Sequence, residues 1–152
     1  MSVQYRYLLS RKPRKLIASA TSSAEILQAF FSFETGMHIL REDDHHYLII
    51  ESLKNSEEKH TKKISKWAFD QLCEAAGNRW FAKTRYTIDH GGFPIFVDVF
   101  RGRHEGLILL THECASLESA QRLILPRGLV GKKVSRSSGY RDFNLAHYGV
   151  PK

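Results

Sequence analysis

The chain predicts an α+β domain built mostly of strands, on three observations. Apolar and polar residues alternate with period two in several segments, helical spacing is confined to a few, and turn residues recur between them. At 152 residues it is most simply one domain, 1–152, long enough to bury a core without metal or disulfide staples. The alternation gives the strands one apolar and one polar face. A sandwich would hide one face and wet the other, whereas a barrel can turn polar faces toward a channel and apolar faces outward against helices. Periodicity leaves both arrangements open.

Taken in order, Val3, Tyr5, Tyr7 and Leu9 share one face of a first strand. After the basic turn RKPRK, Ser22 and Glu25 have capping-box spacing, and Ile26, Leu27 and Phe30 can supply a buried stripe. That pattern predicts a short helix in SSAEILQAF. Segments 31–40 and 47–52 read as strands about the polar turn REDDHH, and KNSEEKHTKK reads as a solvated hairpin end or strand edge. SKWAFDQLCEAAG is the clearest helix, with Ser65 as cap, Phe69, Leu72, Cys73 and Ala76 at helical spacing, and Gly77 as its stop. Strands FAKTRYTI, IFVDVF and GLILLTHEC follow, joined by DHGG and RGRHEG. LESAQRLIL reads as another short helix before a basic tail rich in glycine and serine.

A formal charge of +7 favours anionic partners such as nucleotides, polyphosphate or nucleic acid. Cys73 and Cys114 lack metal spacing and read as reduced packing residues. No apolar run approaches the roughly 20 residues of a membrane span, and no signal core follows the basic N-terminal residues, so a cytoplasmic location is expected. The histidines, His45, His46, His104 and His112 among them, make no zinc spacing. Gly-rich phosphate loops, a serine elbow and a clear nucleic-acid stacking module are also missing from the sequence.

Two strands carry chemistry. Lys83 and Arg85 share one side of FAKTRYTI, where Arg can meet phosphate oxygens with a planar fork and Lys as a point charge. Thr111 and Glu113 share one side of GLILLTHEC, placing a carboxylate inside an apolar run. A solvated strand face would show the same cationic alternation.

The segment DVFRGRHEGLILLTHE, Asp98 to Glu113, resembles a motif of the CYTH, or triphosphate tunnel metalloenzyme, family. FAKTRY is similar to its Lys-Thr-Arg-Tyr strand, VGKKVS to its Leu-Gly-x-Glu-Val-Thr, and GYRDFNLA to its Tyr-rich ending with Asn-Leu-Ala. The resemblance covers Ala75 to Ala146 most densely and is thinner before that, where ILQAFFS resembles a helix-to-strand passage. It implies an antiparallel eight-stranded β-tunnel with flanking helices, a Mg²⁺ or Mn²⁺ site on acidic residues, and a triphosphate held by cations. Arg6, Lys83, Arg85, Lys133 and Lys62 would contact the ligand. Glu113 would be the catalytic carboxylate and metal ligand, or else a tunnel carboxylate paired with an interior cation. Asp98, Thr111, Tyr140 and Asn144 would support the site.

The departures from the family pattern shape the functional expectation. SVQYR stands where the family has Glu-x-Glu-x-Lys, so Ser2 and Gln4 replace both carboxylates. Thr111 replaces a glutamate, Lys133 stands where the family has one, and Glu51 stands at a lysine position. A hard divalent cation needs oxygen ligands that include carboxylates; Glu113 with Asp98 or Glu105 would suffice for one ion. The expectation is therefore a tunnel protein binding a phosphorylated or polyanionic ligand with weak or no catalysis. The alternatives are a metal-dependent hydrolase of inorganic or nucleoside triphosphate, then an adenylate cyclase, or a protein- or RNA-binding module using the basic surface.

Overall fold

A computed structural model describes residues 3–31, 36–52, 58–90, 93–114, 131–134 and 138–151, without the side chains of 3, 4, 90, 93, 113, 114, 131, 138 and 143. Among these residues nine strands form: β1 (Val3–Leu9), β2 (Ser22–Phe30), β3 (Met37–Glu42), β4 (His45–Glu51), β5 (Lys59–Lys63), β6 (Trp80–His90), β7 (Phe93–Arg101), β8 (Ile108–Cys114) and β9 (Gly131–Lys133). The helices are α1 (Arg14–Ala18), α2 (Lys66–Ala76) and α3 (Asp142–Tyr148), with 3-10 turns at Gly102–His104 and Ser138–Tyr140.

The strands make one antiparallel sheet in the order β5-β4-β3-β2-β6-β7-β8-β1-β9. The expected closed eight-stranded tunnel is therefore corrected to an open nine-stranded sheet. Closure requires the first and last strands to exchange backbone hydrogen bonds. Among the described residues β5 pairs only with β4, and β9, three residues long, pairs only with β1. All five side chains of β5 are exposed and three are lysines, which disfavours further pairing at that edge.

A second correction concerns SSAEILQAF, which is strand β2 and not a helix. Its backbone pairs with β3 on one side and β6 on the other, so both edges of the segment are satisfied by ladders. Glu25 does not fold back to cap Ser22. Its carboxylate accepts from the Thr84 hydroxyl at 2.8 Å and from Arg101. By contrast, α2 follows its sequence signals: Ser65 Oγ accepts from the Ala68 amide at 3.1 Å, and Gly77 ends the helix at φ +65°. The segment expected as a helix at LESAQRLIL lies outside the described residues.

The two sheet faces bury different partners. On the outer face Ile88, Ile95, Val97, Ile108 and Leu110 pack with Tyr86 and with Leu16 and Ile17 of α1. Phe69 and Ala76 of α2 cover Ala29 and Ile39. On the inner face Phe30, Phe81, Phe100 and Leu109 meet Leu145 and Ala146 of α3. Leu145 and Ala146 are fully buried, so α3 is anchored against the sheet.

Candidate functional site

A flat sheet would hold β5 and β1 roughly 34 Å apart at the usual strand spacing. Yet Lys59 of β5 and Arg6 of β1 line one cleft of about 820 Å³. The sheet must curl to bring them together, and the 3-10 turn and start of α3 contribute Tyr140, Arg141 and Asp142 to the lining. Among the described residues the cleft is lined by the cations Arg6, Lys59, Lys83, Arg85 and Arg141, against Glu42, Glu51 and Asp142.

Lys83 and Arg85 reach the inner face by strand alternation, and both meet Asp98 of β7. Arg85 stands directly opposite Asp98 in the ladder. Arg85 Nε and Nη2 donate to the Asp98 carboxylate at 2.8 and 3.0 Å, and Lys83 Nζ donates to it at 3.0 Å. Lys83 and Asp98 are each 2% exposed. Lys83 Nζ also sits 5.1 and 5.4 Å from the ring centroids of Phe81 and Phe100, a cation–π setting that suits a charge removed from water. The Arg85 guanidinium lies 4.8 Å from the Phe96 centroid.

The electrostatics follow from this crowding. Burial pushes the Asp98 carboxyl up, but Lys83 and Arg85 outweigh it and hold the group below the usual carboxylate range. Burial works against the Arg85 charge, and its bonds to Asp98 more than compensate. Arg85 keeps 31% of its side chain exposed, whereas Lys83 does not reach water appreciably.

Across the cleft, Arg6 Nη1 donates to the Tyr140 carbonyl at 2.5 Å and Nη2 to Asp142 Oδ1 at 3.1 Å. Burial raises the Asp142 carboxyl, while Lys83 and Arg6 draw it below its ordinary value. Asp142 therefore supplies an internal anion to the cations of the cleft. Glu51 and Lys59 approach to 4.0 Å at the outer end, both half-exposed. The β2–β4 wall is of another character: Ile26, Leu40 and Ile49 line it, and the His38 ring stacks on Phe30 at 5.0 Å and 23°.

The residues predicted from sequence divide clearly. Arg6, Lys83, Arg85 and Tyr140 line the cleft, and Asp98 stands behind Lys83 and Arg85. Thr111 is buried opposite Arg6 in the β1–β8 ladder, and Asn144 is half-buried on α3. Lys133 lies over the Tyr5 ring at 4.3 Å and does not line the cleft. Lys62 is exposed on β5 and out of phase with Lys59, the lysine of that strand that does. Glu105 is exposed after the 3-10 turn. The Glu113 backbone pairs with Gln4; the side chains of both, and Ser2 entirely, lie outside the described residues.

Sequence reading missed Asp142, Arg141, His38 and Lys59 as cleft residues. The adjacent Arg141 and Asp142 lie between Tyr140 and Asn144, both singled out by the resemblance, so their neighbourhood was visible and their pairing with Arg6 was not.

The described donors do not fit a divalent cation. Asp98 gives its oxygens to Lys83 and Arg85, Asp142 is bonded to Arg6, and Glu51 stands beside Lys59. Among the described residues no group of three or more His, Cys, Asp or Glu is placed to hold a metal. Among the same residues no helix is long and apolar enough to cross a membrane.

No family model matches the chain, and no curated protein matches it. Solved structures do. One structure of NE1496, called a hypothetical protein, superposes with a TM-score of 0.78 at 21% identity, covering 99% of this chain and 100% of that one. A second, called the inorganic triphosphatase NE1496, gives 0.76 at 21% identity over 96% and 94%. HpAC1 from Hippeastrum, named for adenylyl cyclase and described as having a dominant triphosphatase activity, gives 0.71 at 14% identity over 100% and 98%. The chain thus shares, over nearly its whole length, the fold of NE1496 and HpAC1.

Proposed function

We propose that the cleft binds a triphosphate, free or carried on an organic group, with Arg6 and Arg85 facing the phosphates and Lys83 beneath them. The observation that carries this reading is the convergence of these cations in one cleft of a fold shared with triphosphatases. Arg85 is the principal contact. Its guanidinium is fixed by Asp98, partly open to solvent, and offers donors in a geometry suited to phosphate oxygens. Lys83 contributes positive charge from beneath, since its ammonium is already bonded to Asp98.

The comparisons favour hydrolysis over simple retention, because NE1496 and HpAC1 are both described by triphosphatase activity. In that reading water attacks the terminal phosphorus, the bridging P–O bond breaks, and phosphate and the diphosphate leaving group depart as water's proton passes to solvent. The fixed cations stabilise charge on the transferring group. Turnover is expected to be slow, because Asp98, Asp142 and Glu51 stand against cations and no group of three or more His, Cys, Asp or Glu among the described residues is placed to hold a metal. Phosphate release from inorganic triphosphate, assayed with Mg²⁺ and with Mn²⁺, tests it. Slow release that Arg85→Gln suppresses supports hydrolysis in this cleft. Binding without release in either metal removes hydrolysis and leaves the binding site.

A further inference from the structure

Strand β3 turns His38, Leu40 and Glu42 into the cleft by alternation, while Ile39 packs the other way beneath α2. Among the described lining residues only His38 is of the type that ordinarily titrates between pH 5 and 8. Its ring is 6% exposed and stacks on Phe30, its partner in the β2–β3 ladder, with Ile49 opposite it on β4. The stack fixes the plane of the ring and leaves both nitrogens at its edge, where they make no hydrogen bond among the described residues. Burial is the strongest influence on the ring and holds it below its ordinary pKa, so it is uncharged near neutral pH. Of the charges that act on it, Glu51 of β4 and Asp142 of α3 favour a proton and Lys59 of β5 opposes one; β2 presents the uncharged Phe30 face.

From this placement we infer that His38 is a proton-linked contact of the cleft: as phosphate enters, the ring takes a proton from solvent, and the imidazolium donates a hydrogen bond toward a phosphate oxygen. This rests on the phosphate-binding reading above and adds how the site matches its charge to the ligand. Burial disfavours the imidazolium only until an anion offsets it, and an opposite charge within about 4–6 Å favours the charged form. Asp142 acts on the ring and is bonded to Arg6, so an anion drawn to Arg6 enters the field of the ring as well. A triphosphate brings several negative charges where Asp142 brings one. The Phe30 face accommodates the new cation, because an aromatic face attracts positive charge. The protein thus gains up to one proton for each ligand bound, less the fraction that His38 already carries at that pH.

Calorimetric titration of the whole chain with inorganic triphosphate between about pH 8 and about pH 6, in wild type and His38→Phe at one salt concentration, tests the inference. Phenylalanine keeps an aromatic ring on Phe30 and cannot titrate, and protonation of the triphosphate itself is common to both proteins. The affinity of wild type relative to the variant is expected to rise about fivefold across that range, within the limit of about tenfold per pH unit for one linked proton. Repeating the titration in two buffers of different ionisation enthalpy should show greater proton uptake by wild type. A ratio constant with pH, or equal proton uptake, overturns the inference and leaves phosphate binding standing. NMR titration of the His38 ring in wild type reads the same step without a variant: its pKa should rise when triphosphate is added, and an unchanged value overturns the inference. No saturable binding by wild type anywhere in the range overturns the phosphate reading, and the inference with it.

Discussion

Asp98 decides what the two central cations can do. It is buried between Lys83 and Arg85, so Asp98→Asn would leave the Lys83 ammonium in a dry setting without its counter-charge. Such a half-broken buried pair costs about 3–5 kcal/mol, a loss that urea unfolding at pH 7 would measure. The pH dependence has a definite sign. Because the folded pKa of Asp98 is depressed, its contribution is complete above the unfolded value of about 3.9 and is lost as pH falls through the lower folded value. The stability gap between wild type and Asp98→Asn should therefore close on acidification. Asp142 should act in the opposite way on binding. Asp142→Asn removes the anion beside Arg6 and is expected to tighten inorganic triphosphate roughly fivefold, for a repulsion of about 1 kcal/mol; titration showing weaker binding would mean that Asp142 orients Arg6 instead. At this scale period-two alternation allowed Lys83 and Arg85 to share one side. Their common carboxylate was not readable as such, since Asp98 lies thirteen residues from Arg85 in sequence and opposite it only through the β6–β7 ladder.

Elements differed in how far local sequence determined them. Helix α2 was legible because its cap, apolar stripe and glycine stop all agree, and Ser65→Ala should lower stability by about 1 kcal/mol in thermal or urea unfolding. In β2, Ser22, Glu25, Ala24, Leu27 and Gln28 all tolerate a helix, and only pairing with two distant strands reverses that preference. The buried residues of β2 are divided between faces, Ala29 under α2 and Phe30 under α3, which one helical stripe would not achieve. Helix α3 holds the cleft margin through its buried side. Leu145→Ala should cost about 2–5 kcal/mol, as large-to-small changes in packed cores do. Binding should weaken as well, because the same segment carries Tyr140, Arg141 and Asp142. A destabilised variant with unchanged affinity would separate the helix from the site.

For the molecule as a whole, alternation and the resemblance implied a sheet with a cationic interior, and the chain does curl its sheet around such a cleft. Closure was not readable. It depends on whether β5 and β9 meet, and their exposed lysines and short length respectively work against it. The open edges leave the cleft bounded by β5 and by the turn leading into α3, which is why Lys59, Arg141 and Asp142 enter the lining. Positive charge on the chain as a whole would attract anions to any face, so the decisive measurement must separate that general attraction from the cleft. Calorimetric titration of inorganic triphosphate into wild type and Arg85→Gln, with unfolding curves recorded for both, makes that separation. One saturable site is predicted in the wild type. Loss of a charged hydrogen bond worth about 1.5–3 kcal/mol should weaken it roughly 10- to 150-fold in the folded variant. No saturable binding in the wild type, or equal affinity in folded Arg85→Gln, would contradict the phosphate-binding cleft.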